Sequence, residues 1–192
     1  MLIYASSCPV YYAAHGEAFV RSAAKHGYQV KVDISDGPND YAVPKWKAAA
    51  LRFLNLPELL DTNERIVVLD IDSIVMGEIP VQDDWDMALF FRPWIPEENK
   101  KLLLAASYWT PRAKPFAEHM RKQYHKNSKW LSEQTYAYRT YQEIGDQFNI
   151  GRLDQNFVSY DFRENAAIWT AKGPARKDNP KYLERRATYV AA

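Results

Sequence analysis

The sequence predicts an α/β protein with a mostly parallel central sheet flanked by helices, and three observations carry that prediction. Across residues 2–69, short apolar runs alternate with helix-period stretches in the order β-α-β-α-β, the pattern of parallel strands joined by crossover helices. The third run, Ile66-Val67-Val68-Leu69, is wholly apolar and mostly β-branched, as a strand buried on both faces requires. It delivers Asp70-Ile71-Asp72 at the strand's carboxyl end, where ligands bind in open α/β sheets.

Leu2-Ile3-Tyr4-Ala5 reads as the first strand, ending in Ser6-Ser7. Pro9 suits the first turn of the helix that follows. Tyr11, Ala14, Ala18, Phe19 and Ala23 form its apolar stripe, and Gly27 its C-terminal stop. Gln29–Ile34 alternates as a strand and closes on the turn Asp36-Gly37-Pro38-Asn39. Pro44 opens a helix that turns Trp46, Ala49, Ala50, Phe53 and Leu54 inward and ends near Pro57. Beyond the motif, Met87–Phe91 and Leu102–Ala106 read as strands, with a loop at Arg92–Glu98. Helices are expected from Pro115, carrying Phe116, Met120 and Tyr124 on one face, and from Ser132 to Gly145. Phe157–Phe162 and Ala166–Ala171 are weaker strand candidates. The basic tail from Lys172 to Arg186 is broken by Gly173, Pro174 and Pro180.

Length and composition bound the function. A chain of 192 residues suggests one domain, 1–192, with room for a substantial core. With 25 basic and 24 acidic residues, near-balance argues against a dedicated nucleic-acid binder. The single cysteine, Cys8, excludes an internal disulfide and a cysteine-rich zinc site. No stretch approaches the roughly 18 apolar residues of a membrane span. Met1-Leu2-Ile3-Tyr4 lacks a basic leader segment, so a cytoplasmic location is the expectation. Aromatic residues reach 14%, which fits a rich core and equally a cleft that stacks rings on a sugar or base.

Asp-x-Asp is statistically cheap. With 13 Asp in 192 residues, chance alone supplies about 0.9 such pairs, and Asp84-Trp85-Asp86 is a second copy. Context therefore decides. In an extended segment, residues i and i+2 point the same way, so Asp70 and Asp72 are placed to share one hard cation such as Mg²⁺ or Mn²⁺, with diphosphate oxygens completing the shell. His15, His26, His119 and His125 show no ligand spacing.

The stretch Arg65–Val75 followed by Gly77-Glu78-Ile79-Pro80 resembles the central motif of GT-A fold glycosyltransferases, in particular the family 8-like glycogenin and galactosyltransferase group. The resemblance spans roughly residues 2–177. It implies a metal-dependent transferase, with Asp70 and Asp72 holding Mn²⁺ or Mg²⁺ against the diphosphate of a nucleotide-sugar, most naturally a uridine diphosphate sugar. It places Ala5, Ser6, Tyr11 and Tyr12 at the nucleoside, and Lys45 on the helix leading to the motif strand. Glu133-Gln134 resembles the family's Asp-Gln step. Ile168–Pro174 resembles the late phosphate-binding segment, so that Lys172, Gly173 and Arg176 face the diphosphate, and Lys177 is a further cation there. Asp86 or Glu133 is a candidate for acceptor binding or general-base work, although the resemblance implies retention of configuration, which needs no such base. The acceptor is open: glycan, protein or small molecule.

The chain departs from the family at three places. Thr170 stands where the late segment carries a histidine ligand, Arg176 where it carries lysine, and Ala105-Ala106-Ser107 where an Asn and Gly lie near the donor sugar. A GT-A-like domain that binds without catalysing is the main alternative. A haloacid-dehalogenase-type phosphatase, with Asp70 as nucleophile, is a second; but that family begins its domain with the motif strand, which here follows some sixty residues of α/β pattern.

Overall fold

The computed structural model describes residues 1–35, 45–92, 95–96, 101–124 and 132–190. The expected β-α-β-α-β order is present. β1 (Leu2–Ser7), α1 (Pro9–Lys25) and β2 (Gln29–Ile34) are followed by α2 (Lys45–Leu54), α3 (Leu56–Leu59) and β3 (Ile66–Leu69). Gly27 takes a left-handed φ of +78° just past α1, the conformation that ends a helix without Cβ strain. Beyond β3 come β4 (Ser73–Val75), β5 (Met87–Phe91), β6 (Leu102–Trp109), α4 (Lys114–Lys122) and α5 (Ser132–Ile144). The chain closes with β7 (Ile150–Leu153), β8 (Val158–Ser159), β9 (Ile168–Thr170), α6 (Pro174–Lys177) and α7 (Pro180–Val190).

Six strands form the central sheet in the order β2-β1-β3-β6-β5-β7. β1 pairs in parallel with β2 and β3, and β5 with β7, whereas β6 runs antiparallel to both neighbours. Five of the six strands therefore share one direction. Alternation along the strands feeds two cores. Ile3, Ala5, Val67 and Leu69 face Phe19 and Ala23 of α1; Leu2, Tyr4, Ile66 and Val68 face Phe53, Leu56, Phe116 and Met120. A smaller sheet, β4-β9-β8, packs Ile74 and Trp169 with Ala18 of α1 and Tyr182 and Tyr189 of α7. No helix among the described residues is long and apolar enough to cross a membrane.

Several expectations change. The helix expected from Pro44 to Pro57 breaks at Asn55 into α2 and α3. The strand expected at Leu102–Ala106 runs on to Trp109, because β3 on one side pairs with Ala106–Trp109 and β5 on the other pairs with Ser107–Trp109 as well as with Leu102 and Leu103. Pro174 and Pro180 do not simply break the tail. Each opens a helix, since the first helical turn lacks intrahelical N–H acceptors and a fixed φ suits it. The turn at 36–39 and most of the Arg92–Glu98 loop lie outside the described residues.

β7 carries no apolar run and was not anticipated. Its Gly151 pairs with Ala88 and lies against the Trp85 ring, so closely that a Cβ there would overlap the indole. Trp85 is itself held edge-on to Tyr108 with centroids 6.5 Å apart. Gly151→Ala is expected to destabilise the protein by about 1–3 kcal/mol through overpacking, seen as a lowered denaturation midpoint with unchanged slope.

Candidate functional site

The crevice follows from strand order. β1 lies between β2 and β3, α1 packs on one face of the sheet and α2 on the other, and the chain reverses its direction of winding at β1. Such a switch point opens a cleft at the strands' carboxyl ends. β1 pairs with β2 as far as Ser7 but with β3 only as far as Tyr4, so residues 5–7 border the gap.

Asp70 and Asp72 stand at its floor, though not in the extended geometry expected. The Ser73 amide donates to the Asp70 carbonyl at 3.1 Å, closing a turn immediately after β3. The two carboxylates consequently meet different partners. Asp70 is paired through Oδ1 with Arg52 and through Oδ2 with Lys172, whose Nζ is 3.3 Å away. Asp72 Oδ2 accepts a 2.9 Å hydrogen bond from the Tyr11 hydroxyl and lies 3.2 Å from Lys177 Nζ. Its backbone carbonyl accepts from the Ala171 amide at 3.0 Å and from the Tyr182 hydroxyl at 3.2 Å. That stitches the turn to β9 and α7. Asp72 Oδ1 is buried and, among the described residues, has no partner.

The charge balance is unusual for a buried acidic pair. Arg52, Lys172 and Lys177 bring three cations to two carboxylates. Burial alone would raise the Asp70 pKa, but the charges of Arg52 and Lys172 outweigh it and hold the group below the ordinary carboxylate range. Arg52 is 3% exposed; burial lowers its pKa, and the opposing fields of Asp70 and Glu133 leave a net rise. It also donates to the Leu69 carbonyl at 3.2 Å.

The other expected residues separate into three groups. Lys172, Glu133 and Gln134 join the cluster. Glu133 is 2% exposed, its Oε2 has no partner among the described residues, and burial raises its pKa against the lowering fields of Arg52 and Lys172. Gln134 Oε1 accepts from Arg92 Nη2 at 3.2 Å. A second group is near but otherwise employed. The Ser6 hydroxyl is spent on the Ala48 carbonyl, at 2.9 Å, pinning α2, and Ala5 is fully buried. The Tyr11 hydroxyl serves Asp72, and Lys177 Nζ lies over its ring at 5.1 Å. Tyr12 packs against the core and over Gly16.

Arg176, expected at the diphosphate, turns away. Its Nε donates to the Tyr160 carbonyl at 2.8 Å and its Nη1 to the Lys172 carbonyl at 3.1 Å. The cation on Asp72 is instead Lys177, one residue later, because Gly173 at φ +96° opens α6 and sets which side chain faces the turn. Third, Asp86 is corrected outright. It sits at the amino end of β5, with Oδ1 2.8 Å from Arg112 Nε and Oδ2 accepting from the Asn149 amide at 2.8 Å. Since β5 runs in the same direction as β3, that is the opposite end of the strands from Asp70 and Asp72. Lys45 begins α2, and its side chain lies outside the described residues.

Sequence reading missed Arg52, Tyr160 and Tyr182. Arg52 left one trace, a charge one helical turn from Ala49 on the inward side of α2. Tyr160 left none. Its hydroxyl is enclosed without a partner among the described residues, and burial, then the charge of Asp70, raises its pKa strongly. It remains a neutral phenol.

Two carboxylates with one open buried oxygen have the chemistry of a hard-cation site completed by phosphate oxygens. No group of three or more His, Cys, Asp or Glu forms among the described residues. Thr170, where a histidine was expected, is fully buried in β9 opposite Ser73.

No family model matches the chain, and no curated protein does. Solved structures do. The glycosyltransferase GlyE of Streptococcus pneumoniae TIGR4, in its apo form, superposes with TM-score 0.63 at 11% identity over 96% of this chain. This chain spans 59% of GlyE's length. A glycosyltransferase involved in glycosylation of the major capsid of PBCV-1 superposes with TM-score 0.60 at 12% identity, covering 100% of both chains. The mixed α/β fold, with its mostly parallel six-stranded sheet, is the fold of these glycosyltransferases.

Proposed function

We propose that the protein transfers a sugar from a nucleotide-diphospho-sugar, a uridine diphosphate sugar in the first instance, to an acceptor hydroxyl. The observation that carries this reading is the Asp70/Asp72 turn, faced by Lys172 and Lys177, at the switch point of a glycosyltransferase-type sheet. A nucleoside diphosphate needs both halves of that arrangement: cations for its phosphates and carboxylates for an accompanying metal.

Asp70 and Asp72 would hold Mn²⁺ or Mg²⁺, with Asp72 Oδ1 as the open ligand atom. When bound, the metal neutralises charge developing on the departing diphosphate. Lys172 and Lys177 hold the carboxylates until the donor arrives, and their ammonium groups then have phosphate oxygens as alternative partners. Gln134, fixed by Arg92, presents an amide toward the sugar. Glu133 is buried beside the charges of Arg52 and Lys172, and that burial raises its pKa. Within this reading the enzyme is family 8-like and transfers with retention, a reading supported by the place of the Asp70/Asp72 turn after β3. Burial of Glu133 argues against a standing general base.

The binding-only alternative draws on Thr170, which supplies no imidazole, and on Asp70, both of whose oxygens are already paired. A phosphatase reading with Asp70 as nucleophile is disfavoured by strand order, since the motif strand β3 follows β1, α1, β2 and α2 instead of opening the domain. The test is thermal stabilisation by uridine diphosphate with Mn²⁺, against the other nucleoside diphosphates, then assay of diphosphate release from the matching sugars. Stabilisation with release in the presence of acceptor supports transfer. Stabilisation without release across an acceptor panel supports binding alone. No stabilisation by any of them refutes both.

A further inference from the structure

Of the enclosed polar atoms around the acidic turn that have no partner among the described residues, two are complementary. Asp72 Oδ1 is an acceptor without a donor, and the Tyr160 hydroxyl is a donor without an acceptor. Both belong to one site: Arg176 bonds the Tyr160 carbonyl and the Lys172 carbonyl, and Lys172 Nζ reaches Asp70 Oδ2 at 3.3 Å. Yet they do not bond to each other. Buried polar groups are satisfied almost everywhere in native proteins, and the exceptions concentrate where a ligand completes them.

The Tyr160 ring is not loose. Phe90 meets it edge-on at 5.7 Å, the Arg176 guanidinium lies 5.6 Å from its centroid, and Arg176 Nε grips its carbonyl at 2.8 Å. This explains why Arg176 is absent from the carboxylate pair: it positions Tyr160. Tyr11 is committed to Asp72 Oδ2 and Lys172 to Asp70 Oδ2.

A ligand that satisfies both orphans presents positive charge to a carboxylate and an acceptor oxygen to a phenol. A metal-bound diphosphate does both at once. Resting on the nucleotide-sugar reading above, we propose that Tyr160 donates its hydroxyl hydrogen to a phosphate oxygen of the bound nucleoside diphosphate, as the counterpart of the cation carried by Asp72 Oδ1.

The experiment is calorimetric titration of wild type and Tyr160→Phe with uridine diphosphate plus Mn²⁺ and, separately, with uridine. A hydrogen bond to a charged acceptor corresponds to about 10-fold in affinity or more. The variant should bind the diphosphate at least about 10-fold more weakly, bind uridine as wild type does, and melt no lower, because the deleted hydroxyl had no partner. Equal diphosphate affinity in the two proteins overturns the role of Tyr160 and leaves the nucleotide-sugar reading standing. Parallel loss of uridine and diphosphate binding, or a lowered melting temperature with it, assigns Tyr160 a merely structural role and also overturns the proposal. A wild type that binds no diphosphate refutes both readings together.

Discussion

Asp72→Asn is expected to abolish metal-dependent nucleotide binding and to lower sugar transfer by about 100-fold or more, without lowering stability. The two effects separate for a physical reason. Asp72 is 4% exposed and one of its oxygens has no partner, so part of the cost of taking this charge out of water is uncompensated. Asparagine keeps an acceptor for Tyr11 while removing that charge. Lys177, which loses its ion pair, has a side chain 26% exposed and can be solvated in place. A melting temperature equal to or above wild type, with loss of the Mn²⁺-dependent calorimetric signal, is the expected pair of results. Unchanged metal-dependent binding in the variant would sink the assignment of the site.

The second large effect is on folding. Arg52→Met is expected to destabilise the protein by about 3 kcal/mol, the lower end of the range for breaking a buried ion pair. The lower end applies because Lys172 remains on the other Asp70 oxygen. A loss of this size corresponds to roughly 6–12 °C in melting temperature for a chain of this length. The double variant Arg52→Met/Asp70→Asn should recover part of it, since the buried carboxylate charge is then gone and Lys172, its side chain 27% exposed, can be solvated in place. The sign of the pH dependence follows from Asp70. Its folded pKa is depressed, so its contribution is present above the ordinary carboxylate range and is lost as pH falls from about 4 toward the folded value. Urea midpoints at neutral pH and below pH 4 check both statements, and a midpoint that does not fall at neutral pH in Arg52→Met would refute the first.

Stability and function thus divide the acidic pair between them. Asp70 is built into the fold through Arg52, whereas Asp72 keeps an oxygen open at the cost of its own solvation. Sites that store uncompensated polarity in this way commonly trade stability for function.

Much of the fold was legible because its signals are local. The Ile66–Leu69 run must be buried on both faces, and the crossover order β1-α1-β2-α2 must wind one way; both follow from residues within one element or its neighbour. The strand β7 was not legible. Ile150-Gly151-Arg152-Leu153 has no run of its own and is a strand because β5 offers its edge and Trp85 fills the space over Gly151. Arg176 and Lys177 make the same point at the site. Both are basic, adjacent and in the right segment. Only the φ of Gly173 and the turn of α6 decide that Lys177 reaches Asp72 while Arg176 holds Tyr160.

In the sequence, Asp70 and Asp72 are two carboxylates two residues apart after an apolar strand. By itself the sequence determined that they would stand at the carboxyl end of a buried central strand, because hydrophobic period and connection handedness leave few alternatives. Tertiary structure decided the rest: the turn that splits their partners, the three cations that neutralise them and the one oxygen left open. Those depend on long-range contacts among α1, α2, β9 and α6. No short window of sequence encodes such distances, since they arise only when separate elements pack.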